Sequence, residues 1–182
     1  PGFTSSTTIN IVSSNDPNCF VSESLSSCIC SSPSSPSDEP CNAPYVDLSQ
    51  PFYGSTSCNY TVEQDVTAQF YGPNDFCGGA QNDSWLKFTA ADDTVVLDWE
   101  VYDCTNPVTN PDPNSLTFGE PYQGVQFAIF EGSCNNQDAM TLVDNACDYQ
   151  AFGDSTFTVG NLVNGDEYFI YIDGFAGDQC TY

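Results

Sequence analysis

The side chains able to do chemistry are few in kind. The chain carries 25 Asp and Glu, ten Cys and a single basic residue, Lys87, with no His, for a formal net charge of -24 over 182 residues. Without imidazole there is no Ser-His-Asp or Cys-His arrangement and no histidine metal ligand. Carboxylate, hydroxyl, amide, thiol and aromatic groups are left. Two carboxylates suffice for glycoside hydrolysis, but a general acid needs burial to raise its pKa. Most of these acids fall on the polar phase of strands or in Asp/Asn/Gly turns, so the chain reads as non-enzymatic, with no catalytic residue. One lysine cannot release counterions from phosphates, which excludes nucleic acid, and an anionic membrane surface would repel the chain.

Oxygen ligands clustered in loops suit calcium. The densest cluster is Asp144, Asn145, Asp148 and Asp154, and a second pairs Asp173 with Asp178. No EF-hand spacing accompanies them, so the expectation is either no cofactor or calcium. Aromatic faces suit sugars: Trp85 and Trp99 are candidates that fall on strands, where core packing competes, and Tyr102, Tyr122, Tyr149 and Tyr171 are expected at the surface. Asn59 and Asn82 head Asn-x-Ser/Thr sequons.

The cysteines are Cys19, Cys28, Cys30, Cys41, Cys58, Cys77, Cys104, Cys134, Cys147 and Cys180. An even count without zinc-type spacing reads as a disulfide framework made in an oxidising compartment. Cys134 and Cys147 bracket a short strand and turn and are expected to pair, closing a loop of about 13 residues worth roughly 3 kcal/mol in the chain-entropy model. Further pairing is expected within the group from Cys19 to Cys41.

The elements that must carry these groups are short and extended. Residues 3–13 form a polar strand with Ile9 and Ile11 on one face. Between Cys19 and Cys41 lie nine serines and three prolines in 23 residues, a composition that cannot bury a core and acts as a stapled linker. From residue 45 onward, strands alternate with Gly, Pro, Asn and Asp. Candidates are residues 60–70, 84–89, 94–102, 124–131, 139–143, 155–159 and 168–173. The clearest puts Val95, Leu97, Trp99 and Val101 on one face and polar residues on the other. Asn164-Gly165 signals a type I′ hairpin turn. No window shows a helical stripe, so the expected fold is all-β: an antiparallel β-sandwich of jelly-roll or Ig-like order. The organisation reads as an arm over residues 1–18, a Cys/Ser/Pro-rich linker over 19–44 and the sandwich over 45–182. No apolar run spans a bilayer, so no membrane insertion is expected. A chain starting at Pro1 with no leader reads as a processed or excised piece of a longer protein.

Three stretches carry a resemblance. They are Asn74-Asp75-Phe76-Cys77 followed by Asp83-Ser84-Trp85-Leu86-Lys87-Phe88-Thr89-Ala90, then residues 124–134 running into Cys134, and residues 162–182 with Asp173-Gly174-Phe175-Ala176-Gly177-Asp178-Gln179-Cys180. Together they resemble a disulfide-containing β-sandwich module of large secreted and cell-surface proteins of Bacteroidota. The resemblance implies export through the type IX system and an extracellular or cell-surface location. It also makes Thr94 and Ser155, each preceded by Asp, similar to bacterial O-glycosylation sites. In such modules a further strand follows the Cys-x-Tyr at which this chain stops, which implies a longer parent polypeptide or a last strand supplied by another copy.

The expected function is a structural or adhesive extracellular module, self-associating into filaments or forming part of a large adhesin. Its partners would be copies of itself, by end-to-end or donor-strand assembly, or surface glycans. The alternative is a carbohydrate-binding module of a secreted multidomain enzyme.

Overall fold

A computed structural model describes residues 36–56, 76–80, 83–105, 109–115, 118–120, 122–135 and 140–182. The arm, most of the linker, the candidate strand 60–70, Cys19, Cys28, Cys30, Cys58, Asn59 and Asn82 lie outside the described residues.

Among the described residues six strands form two antiparallel sheets, as the period-two pattern predicts. They are β1 (Ser84–Thr89), β2 (Val95–Val101), β3 (Val125–Glu131), β4 (Thr141–Ala151), β5 (Gly153–Val159) and β6 (Glu167–Gly174). One sheet has the order β1-β6-β3-β4 and the other is the pair β2-β5. The chain passes between sheets at nearly every connection. The corner between β4 and β5 is the single residue Phe152, with Gly153 at φ 67 turning it.

The two sheets close on one apolar layer. Leu86 and Phe88 of β1, Val125, Phe127 and Ile129 of β3, and Tyr168, Ile170 and Ile172 of β6 face Val95, Val101 and Val159 of the smaller sheet. Burying one such side chain contributes on the order of 2 kcal/mol. Trp99 joins this layer at its margin, its ring stacked on Phe127 at 4.3 Å.

The larger sheet is buried on its second face as well. Trp85, Ala128, Phe130, Phe169 and Tyr171 form a separate cluster there with Met140 and Ala43. Among the described residues no third sheet covers them; segments around Ala43 and residues 76–80 do, with Phe76 edge-on to Tyr171 at 4.7 Å. Two disulfides hold these segments down, Cys41–Cys134 and Cys77–Cys147, and a third, Cys104–Cys180, ties the end of β2 to the C-terminal residues.

The expected Cys134–Cys147 bond is therefore corrected; Cys41 bonds outside its group, whose other cysteines lie outside the described residues. The reason is the length of β4, which runs 11 residues where a short strand and a turn were expected. In the β3–β4 ladder Cys147 lies opposite Ala128, well up the hairpin from Cys134, and each cysteine captures a covering segment instead. The Cys41 bond also brings the segment before residue 45 into the sandwich. Ser37 exchanges amide bonds with Trp85, and Pro44 and Val46 bond Lys87, so the outer edge of β1 is covered ahead of the expected boundary.

Asn164-Gly165 is a turn but joins no hairpin, because β5 and β6 belong to different sheets. Asp166 N–H bonds Val163 C=O at 3.0 Å, and only Gly165 of the central pair has positive φ, at 91. That geometry needs glycine at the third position of the turn alone, so the type I′ expectation is replaced by a type II-like turn.

Candidate functional site

The motif Asp173 to Cys180 is a structural closure. Beyond β6 the chain makes a short 3-10 turn, Phe175–Gly177, with Ala176 at φ 52 and Gly177 at φ 78. A Cβ on Gly174 would sit 1.8 Å from the carbonyl oxygen of Asp178, so this position admits glycine alone. Asp178, 2 % exposed, accepts backbone N–H bonds from Thr105 at 3.0 Å and Gln179 at 2.8 Å on Oδ1, and from Gly124 at 3.0 Å on Oδ2. Three chain segments thus converge on one carboxylate. Asp173, also buried, accepts from Gln126 Nε2 at 2.8 Å, and the same amide donates to Gly79 C=O, linking β3 and β6 to the covering segment.

The carboxylates expected to hold calcium are not gathered. Among the described residues, one trio of Cys, Asp or Glu has its ligand atoms within 4.8 Å of one another: Cys104, Asp178 and Cys180. Both cysteines are in a disulfide, so neither supplies a thiolate. In the expected second set, Asp173 and Asp178 are each engaged by protein donors. In the first, Asp144, Asn145 and Asp148 ride on β4 and Asp154 on β5, and their carboxylates form no trio within 4.8 Å among the described residues. Adding EDTA, or calcium at matched ionic strength, is expected to leave the melting temperature unchanged within about 2 °C, since a ligand bound to the folded state would raise it. A larger calcium-specific rise in a thermal scan would restore the site.

The aromatic expectations divide. Trp85 and Tyr171 are fully buried, so Tyr171 is no surface group. Trp99 and Tyr102 are half-buried, and Tyr149 is exposed at 56 %, edge-on to Phe175, which Tyr122 also touches. Of the O-glycan candidates, Thr94 is exposed, whereas the Ser155 hydroxyl oxygen is buried and out of reach of a transferase, which removes that expectation.

Sequence reasoning did not anticipate a groove. A cavity of about 460 Å³ opens between β2 and residues 46–53. Leu97, Trp99, Val46 and Phe52 line it together with Leu86 and Ile170 of the core. Asp47, Asp98 and Glu100 also line it. Hydrogen bonds from the Ser49 hydroxyl, at 2.6 Å, and amide, at 2.9 Å, hold the Asp47 carboxyl below the usual carboxylate range. Glu100 lies opposite Asp154 across the β2–β5 ladder, a like-charge pair that adds to the negative field. Period two and a mixed acid count gave no signal for this groove, beside which the described residues place two strands in the smaller sheet and four in the larger.

Tyr102 stands at one end of the groove. Burial, followed by the charges of Glu100 and Asp103 and by Tyr53, pushes its phenol above the usual tyrosine value of 10.0. A raised folded value means the neutral phenol stabilises the fold at pH below the unfolded tyrosine value, and that contribution is lost as pH rises through the folded one. Urea midpoints should therefore fall between about pH 9 and pH 11, and fall less in Tyr102→Phe. Equal falls in both proteins would assign the alkaline loss elsewhere.

Lys87 is engaged locally: it pairs with Glu167 at 3.9 Å and lies 4.6 Å from the Tyr45 ring centroid, while the Tyr45 hydroxyl donates to the same Glu167. No family model, curated protein or solved structure matches the chain.

Proposed function

We propose that this is a non-enzymatic extracellular structural module, a sandwich that associates with copies of itself into filaments or within a larger surface protein. The observation that carries it is the groove, an apolar opening onto the core alongside the two-stranded sheet. An open sheet edge over a core is a template for strand addition from another chain. Three disulfides that span 93, 70 and 76 residues support service outside the cell, where thiols oxidise and loads must be borne. The resemblance to Bacteroidota surface modules supports the same location and an export route of that type. Among the described residues no helix is long and apolar enough to cross a membrane. Commitment of Asp173 and Asp178 to structural bonds, and the dispersal of the other acids, support the absence of catalysis.

Light scattering after size exclusion tests the proposal. The oxidised protein should exceed 19.7 kDa as concentration rises, and exceed it further at high salt, because a net charge of -24 opposes association that salt would screen. A mass fixed at the monomer under every condition would sink it. The exposed Tyr149 beside Phe175 favours the second reading, a carbohydrate-binding module. Glycan-array binding that Tyr149→Ala abolishes would support that reading, and a blank array would remove it.

A further inference from the structure

The open edge of β2 can be read residue by residue. Tyr102 and Thr181 exchange both amide bonds at 2.9 Å, so the Tyr102 amide groups point away from β5. Successive residues of a strand turn their amides to opposite edges, which sends those of Val96, Asp98 and Glu100 to the same side as Tyr102. On that side they have no backbone partner among the described residues. The same three residues line the groove, and Trp99 beside them has a buried indole N–H with no acceptor among the described residues.

Such an edge asks for an extended segment of about five to seven residues, since its three donor–acceptor positions alternate along the strand. The segment must be uncharged, because Asp47, Asp98 and Glu100 would repel another carboxylate. It must also turn apolar side chains, at alternate positions, toward Leu97 and Leu86. Residues 1–15 meet each condition. They contain no Asp or Glu, Ile9 and Ile11 share a face, and Ser and Thr hydroxyls fill most other positions. The candidate strand over residues 60–70 fits less well, since it carries Glu63 and Asp65.

We infer that residues 4–13 of a second copy pair with the open edge of β2, with Ile9 and Ile11 turned into the groove. The inference rests on the self-association proposed above. A second copy is the donor because an arm folded into its own groove would leave association to other surfaces, and at a charge of -24 those repel. Strand pairing replaces that repulsion with short-range amide bonds and apolar contact, each link leaving the next arm free.

Sedimentation velocity on the full-length oxidised chain tests this with three samples: the wild type, the Ile9→Asp/Ile11→Asp double variant, and the wild type given a tenfold excess of a synthetic peptide of residues 1–18 before concentration. Both substitutions fall outside the described residues, and matching melting temperatures would verify the fold. The expected result is assembly of the wild type, at least a tenfold rise in the concentration that the double variant needs, and small capped species with the peptide. Undiminished assembly of the double variant would overturn the arm as donor while leaving self-association standing. A wild type that stays monomeric at all concentrations would overturn the second-copy donor together with self-association.

Discussion

Asp178→Ala should destabilise the oxidised protein by about 3 to 5 kcal/mol, because each buried N–H deprived of its acceptor costs roughly 1 to 3 kcal/mol. Three such donors, on Gly124, Thr105 and Gln179, would lose their acceptor together. A domain of this kind has on the order of 5 to 15 kcal/mol in all, so the variant should sit near the limit of folding. Asp178→Asn separates charge from shape. Its amide oxygen can still accept from Thr105 and Gln179, but its NH₂ would then face the Gly124 N–H, so roughly half the loss is expected. Urea midpoints at constant m-value measure both. A loss below about 1 kcal/mol for the alanine variant would show that the carboxylate does not hold the three segments.

The double variant Cys77→Ala/Cys147→Ala should lose about 4 kcal/mol, the chain-entropy value for a 70-residue separation. Its effect should also be local. The segment over residues 76–80 covers an apolar face with Phe76 and Ala80 and has no strand pairing among the described residues. Released, it uncovers part of the cluster of Trp85, Phe130 and Tyr171, leaving the segment around Ala43 as the remaining cover among the described residues. Increased binding of an apolar dye and a shift in Trp85 emission should therefore precede global unfolding. A stability loss with no change in either signal would mean that the segment stays seated without its bond.

How far the sequence carried the fold depends on which force set each element. β2 was legible almost residue by residue, because one face is wet and the burial pattern of Val95 to Val101 follows the alternation. β3 and β6 were placed, but their burial on both faces was not foreseen, because Gln126, Ala128 and Phe130 read as an outer face until the covering segments are seen. β4 was misread because Asp144, Asn145 and Asp148 resemble a loop; Asn145 at φ 60 sits in an irregular stretch that lets the strand continue past it. The disulfide pairing was hidden for a different reason. Bonds spanning 70 to 93 residues depend on tertiary placement, which proximity along the chain cannot report.

The same contrast applies to the candidate site. The Asp-Gly-x-x-Gly-Asp-x-Cys turn stood out in the sequence, and the residue types point equally to cation binding or to closure. The closure is what the structure displays, the two carboxylates receiving N–H donors from the protein itself. The groove had no sequence signal, since its lining brings residues 46–53 against β2, far apart along the chain. The arm had one, its lack of carboxylates in so acidic a chain, whose meaning depends on the acids that line the groove.

Electron microscopy of the oxidised full-length protein, concentrated at physiological salt, tests the central claim most directly. Self-association through the groove predicts linear filaments with one sandwich per repeat, thinned out in the Ile9→Asp/Ile11→Asp variant. A uniform field of single small particles from the wild type, at the highest concentration reached, would contradict it.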